Sequence, residues 1–141
     1  AFKTANLSDD AGFFTRNEWQ CLVDNIEDAI PLLIDQGAPR ELKNILKGNP
    51  LVETCGAEFD RKAACLFLDD GVRVELAGDL GYLFAGDRKE PICEVEVELL
   101  YGDAGSLPPL CNQLIGEYGL YEEKRSKYQR ARALAEAEET E

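Results

Sequence analysis

At 141 residues and 45% hydrophobic content, the chain can bury one sizeable core and is short for two. Its 15 basic residues against 28 acidic ones give a net charge of −13, which excludes a general nucleic-acid surface, because phosphate backbones demand clustered Lys and Arg. Five cysteines with no CxxC spacing and no histidine argue against a thiolate zinc site or a Cys-His nucleophile.

The cysteines are expected to be reduced, mostly buried small hydrophobes of a cytoplasmic protein. Neither a membrane span nor a signal peptide is expected. The chain contains no Met and opens at Ala1-Phe2-Lys3-Thr4, as if in mid-strand, so a fragment lacking its amino-terminal part is expected.

Phe2-Lys3-Thr4 reads as a strand end, followed by a polar loop from Asn6 to Gly12. Phe13 to Val23 is the next predicted strand, with Trp19, Cys21 and Val23 on one side and Arg16, Glu18 and Gln20 on the other. Asp24-Asn25 starts a helix from Ile26 to Gln36 that Gly37 closes, with Pro31 disturbing its first turn. A short second helix begins at Pro39 and ends near Lys47. Leu51 to Cys55, Glu58 to Leu68 and Val72 to Leu76 read as strands, the last two joined by an Asp69-Asp70-Gly71 hairpin turn.

Leu83 to Gly86 is expected to be a short extended piece, and Ile92 to Tyr101 a strand. Ser106 to Tyr118 is an amphipathic helix with Pro108 and Pro109 near its start. Residues 1 to 130 form the predicted domain. Residues 131 to 141, rich in Ala and Glu, form an acidic helical tail expected to fray.

Glu94-Val95-Glu96-Val97-Glu98-Leu99 sets three carboxylates on one side of a single strand. Like charges on one face repel, so three acids in a row point to a bound cation. Alternation alone is equally that of a solvated outer face. Arg73-Val74-Glu75-Leu76 repeats the pattern, and strands with recurring charged faces close without exposed edges into a barrel with a polar interior.

Arg16-Asn17-Glu18-Trp19, Val74-Glu75-Leu76 with Asp79 and Gly81, Glu94 to Leu99, and Ser126-Lys127-Tyr128 with Arg130 together resemble the carboxy-terminal two thirds of the CYTH superfamily, the triphosphate tunnel metalloenzymes. The family's opening ExExK strand is not in the chain. The resemblance implies an α+β fold: an antiparallel eight-stranded β-tunnel, its amino-terminal strands missing here, with helices packed outside. It implies a triphosphate bound by Lys3, Arg16, Arg61, Arg73 and Lys127, and Mg²⁺ or Mn²⁺ held by Glu75, Glu94 and Glu96. Glu18 and Glu98 are further candidates. Lys127 is implied to polarise the scissile phosphate, with Glu75 also catalytic.

Carboxylates are hard ligands suited to those cations, and hydrolysis of a triphosphate needs charge stabilisation and an oriented water rather than a covalent nucleophile. The expected activity is release of the terminal phosphate from inorganic triphosphate or an organic triphosphate. A class IV-like adenylate cyclase and a non-catalytic polyphosphate-binding module are the alternatives. No nucleic-acid or membrane partner is expected, and a homodimer is possible. On the residues alone, Arg16 and Glu18 equally make a structural ion pair, Lys127 lies in a mixed-charge run, and Asp79 with Gly81 reads as a turn.

Overall fold

The computed structural model describes residues 2–3 and 15–137 and divides into two compact units, Ala1–Glu53 and Thr54–Glu141. The first contains strand β1 (Phe2–Lys3), paired antiparallel with β2 (Glu18–Trp19). Helices α1 (Ala29–Asp35) and α2 (Leu42–Ile45) follow. Ala29, Leu33 and Ala38 make a small core against Trp19, Cys21 and Leu42. A 3₁₀ turn at Ile26–Asp28 leads into α1, so Pro31 falls in the first helical turn, where its missing N–H goes unneeded.

The predicted strand from Phe13 to Val23 shrinks to β2 among the described residues, and Leu51 to Cys55 joins no strand. The expected loop from Asn6 to Gly12 lies outside the described residues.

The second unit is a three-stranded antiparallel sheet ordered β3 (Gly56–Phe67), β4 (Arg73–Ala85), β5 (Arg88–Tyr101). Asp70 and Gly71 take left-handed φ values of 61° and 75° in the β3–β4 turn, the conformations that the Asp-Asp-Gly sequence favours. Sequence reasoning broke β4 at Asp79 and Gly81, but the strand runs straight through both. Gly81 is required there: a Cβ on it would lie 2.1 Å from the Glu58 carbonyl oxygen and 2.5 Å from Phe59 Cα. This glycine marks a close approach of two strands, not a turn.

Helix α3 (Leu107–Tyr118) follows β5 and lies against it, and α4 (Lys127–Glu136) packs on β3 and β4. Ala131 of α4 is 1% exposed and joins Leu83 and Ile92 in a core flanked by Cys55, Ala57 and Phe59. Burial of each large apolar side chain there contributes roughly 2 kcal/mol. The helix thus runs across the residue-130 position, and residues 131–136 are helical as expected.

This is an α+β arrangement. Among the described residues the strands form the three-stranded sheet and the short β1–β2 ladder, without closing into an eight-stranded cylinder. The cysteines are less buried than expected: Cys21, Cys55 and Cys111 are half-buried, and Cys65 and Cys93 are exposed on β3 and β5, the outer strands of the sheet. No described helix is long and apolar enough to cross a membrane.

Candidate functional site

Period-two alternation decides which residues of the sheet share a face. In register, Arg61 of β3 stands opposite Asp79 of β4, and Asp79 opposite Glu94 of β5, so one rung across the sheet reads cation, anion, anion. The next rung is Ala63, Ala77 and Glu96, whose two alanines leave space for Glu96 to lean back over the first. On the other side the face turns apolar with Phe59, Gly81 and Ile92. A charged patch therefore adjoins the core into which Ala131 packs.

Helix α4 supplies the remaining cations. Lys127 and Arg130 lie four and one residues before Ala131, and helical spacing puts Lys127 on the same face as Ala131. The start of the helix is set by a capping box: Ser126 Oγ accepts from the Gln129 N–H at 3.1 Å, and the Ser126 N–H donates to Gln129 Oε1 at 2.8 Å. Lys127 is thus the first helical residue, where the positive end of the helix dipole disfavours a cation. Its ammonium is held instead by Asp79 Oδ2 at 2.7 Å, by Glu94 Oε1 at 2.5 Å and by Glu96 Oε1, with the Phe59 ring centroid 4.8 Å away.

Arg61 grips Asp79 with both arms of its fork, Nε to Oδ1 and Nη2 to Oδ2, each at 2.7 Å, and Nη2 also reaches Glu96 Oε2 at 2.9 Å. Arg130 Nη2 donates to Glu94 Oε2 at 2.7 Å. Three cations and three carboxylates form one network. Its floor is closed, since the Asp79 side chain has no exposure, while the Glu96 and Arg61 side chains retain 47% and 36%. Solvent and any ligand therefore enter from the Glu96 side.

Charge sets the protonation states. The Arg61 hydrogen bonds, reinforced by Lys127 and opposed by burial, hold the Asp79 carboxyl below its ordinary range. Burial works against the Lys127 ammonium, but hydrogen bonds to Asp79, Glu94 and Glu96 outweigh it and raise its pKa. Arg61 is likewise pushed upward, chiefly by its bond to Asp79. Asp79, Lys127 and Arg61 are therefore charged at neutral pH.

Of the residues expected from the sequence, Arg61, Glu94, Glu96 and Lys127 come together. Asp79, read as a turn residue, is the buried centre of the group, and it takes the place expected for Glu75. Glu75 is on the same face but stands opposite Glu98, two rungs from Asp79, and neither Glu75 nor Glu98 is in the acidic group. Arg73 begins β4, with its guanidinium 5.4 Å from the Tyr101 ring centroid. Lys3, Arg16 and Glu18 belong to the first unit, where Lys3 pairs with Glu18 at 3.3 Å and the Gln20 amide, then Lys3 and Arg16, lower the pKa of Glu18.

Arg130 also emerges as a member of the network. Its sequence signal is the three-residue spacing from Lys127 on one helix. For Asp79 the signal is parity: it falls four residues after Glu75, on the same face of an uninterrupted strand.

Asp79, Glu94 and Glu96 each offer a carboxylate oxygen, all within 4.8 Å of one another. Such a hard, all-oxygen donor set fits Mg²⁺ or Mn²⁺, and the neighbouring guanidinium and ammonium groups fit phosphate oxygens. A scan of known protein families finds none whose model matches this chain.

Proposed function

We propose that this chain is a metal-dependent triphosphatase that removes the terminal phosphate from inorganic triphosphate or a small organic triphosphate. The observation that carries this reading is the meeting of three carboxylates within 4.8 Å of one another with Arg61, Lys127 and Arg130 on one face of a sheet. Asp79, Glu94 and Glu96 are the residues to hold Mg²⁺ or Mn²⁺, which when bound neutralises phosphate charge and lowers the pKa of a coordinated water.

Arg61 and Arg130 suit phosphate oxygens because the guanidinium fork matches their geometry. Lys127 supplies a compact charge for the oxygen that becomes anionic as the terminal P–O bond breaks. Water adds to the terminal phosphorus and loses a proton to solvent, the bond to the bridging oxygen cleaves, and orthophosphate leaves together with diphosphate or, from an organic substrate, the organic diphosphate. In this reading the three-stranded sheet is one wall of an eight-stranded antiparallel tunnel with its charged face as lumen, and α4, which packs on that same face rather than outside as expected, closes part of it. What supports that is the concentration of charge on one face and the outer position of β3 and β5, each paired on one side among the described residues.

The test is phosphate release from triphosphate, thiamine triphosphate and ATP, each with Mg²⁺, Mn²⁺ or chelator, by the full-length protein. Metal-dependent orthophosphate release that Glu96→Gln abolishes is the expected result. Tight binding of triphosphate without turnover identifies a binding module instead. Diphosphate release from ATP with formation of cyclic AMP identifies a cyclase.

A further inference from the structure

The network contains more than a set of ligands awaiting a metal. The Lys127 ammonium contacts all three carboxylates, Asp79, Glu94 and Glu96, at once. It therefore stands where a cation shared by those oxygens would stand. We propose that Lys127 is an internal counter-ion of this group, displaced by the divalent cation when the cation binds, so that metal loading and release of the ammonium toward a phosphate are one coupled event. The inference rests on the metal-site reading above and adds the regulation of that site.

Three observations support it. First, the Lys127 ammonium touches all three carboxylates of a group whose oxygens lie within 4.8 Å of one another, so a divalent ion drawn to the same oxygens meets its charge at close range and the two repel. Second, Lys127 is held in place chiefly from the acid side. As the first residue of α4 it opposes the helix dipole, and apart from the Phe59 ring its partners are the three carboxylates, so losing them frees it. Third, the other cations each hold part of the group rather than all of it, Arg61 touching Asp79 and Glu96 and Arg130 bonding to the Ser126 carbonyl outside it. Arg61 keeps a bidentate grip on Asp79, and Arg130 reaches only Glu94 among the acids. The four-carbon stem of Lys127 lets its charge move without moving the helix.

The coupling is reciprocal. A polyanion that draws Lys127 away makes the carboxylates more available to metal, and a metal that fills them offers Lys127 to the polyanion. The free protein is thereby guarded against binding stray divalent cations without substrate.

The proposal predicts that deleting a cation improves metal binding. Mn²⁺ affinity, read by electron paramagnetic resonance of free Mn²⁺ in the full-length protein without substrate, should be about tenfold tighter or more in Lys127→Met than in the parent. Lys127→Arg, which keeps the charge, should stay near the parent. If Lys127→Met is poorly folded without metal, its melting temperature should rise more with Mn²⁺ than that of the parent. In the parent, Mn²⁺ should accelerate reductive methylation of Lys127, mapped by peptide mass spectrometry, and leave the exposed Lys62 and Lys89 unchanged.

Equal or weaker Mn²⁺ binding by Lys127→Met overturns the inference even if the parent hydrolyses triphosphate. Tighter binding in a protein that releases no phosphate from any triphosphate upholds the inference and removes the triphosphatase reading. Absence of Mn²⁺ binding in both proteins removes the two together.

Discussion

Arg61 and Asp79 face each other across the β3–β4 ladder and are joined by two hydrogen bonds of 2.7 Å each. The carboxylate is wholly covered while the guanidinium remains partly open, so the pair links the buried floor of the charged patch to its solvent side. Removing this charge, the one fully buried acid among the described residues, leaves Arg61 with the open Glu96 alone and Lys127 with Glu94 and Glu96. Asp79→Asn is accordingly expected to lose about 3 kcal/mol of stability, the scale for breaking one partner out of a covered ion pair. Urea denaturation checks this, and a change under about 0.5 kcal/mol would remove Asp79 from the centre of the network.

The same pair fixes how stability responds to acid. Asp79 titrates lower in the folded protein than in the unfolded chain, so its contribution is fully present above the unfolded value of about 4 and is lost as the pH falls through the folded one. As the pH falls below about 4, the parent should lose stability more steeply than Asp79→Asn. Parallel denaturation curves across that range would contradict the assignment.

Glu96 lies at the open edge, with nearly half its side chain exposed. Glu96→Gln keeps the shape and removes one ligand charge, so it should leave stability within about 1 kcal/mol. Metal-dependent phosphate release should fall by about a hundredfold or more. Parental rates at saturating Mn²⁺ would refute a role for this carboxylate.

Ser126 sets where α4 begins and hence where Lys127 stands. Ser126→Ala removes the cap and is expected to cost about 1 kcal/mol. Because it leaves all six charged groups in place, any loss of triphosphate turnover beyond that explained by unfolding measures how strictly the lysine must be positioned. Steady-state kinetics at a temperature where the variant is fully folded gives the answer.

Gly81 tests the packing beneath the site. An alanine there drives a methyl into the Glu58 carbonyl and Phe59, and displacing the edge strand costs about 1–3 kcal/mol. Phe59 neighbours both Arg61 and Lys127, so Gly81→Ala should impair substrate binding as well as stability. Thermal melting and KM together check it.

The hairpin signals at Asp69-Asp70-Gly71, the alternation of Glu94 to Leu99 and the helix after Ser106 were legible because each is a local pattern with a direct physical cause. Asp79 and Gly81 were misread because both residue types favour turns, whereas their setting is decided by neighbours distant in sequence: Arg61 for the acid and Phe59 for the glycine. The strand drawn from Phe13 to Val23 overreached for a related reason. Alternation states which side a residue would face, and a ladder still needs a partner strand to accept its hydrogen bonds. Lys127 stood out only through a resemblance, although the Ser126 to Gln129 capping box and the four-residue step to Ala131 already give it a helix start and an inward face.

Helix α4 is moored in two chemically different ways, through Ala131 among Leu83 and Ile92 and, one turn earlier, through the charges of Lys127 and Arg130. Raising ionic strength screens the second attachment at its open side and leaves the greasy one untouched. Only the contacts through the exposed Glu96 weaken in this way, and the covered Lys127–Asp79, Lys127–Glu94 and Arg130–Glu94 pairs keep the leading turn seated in brine as in dilute buffer.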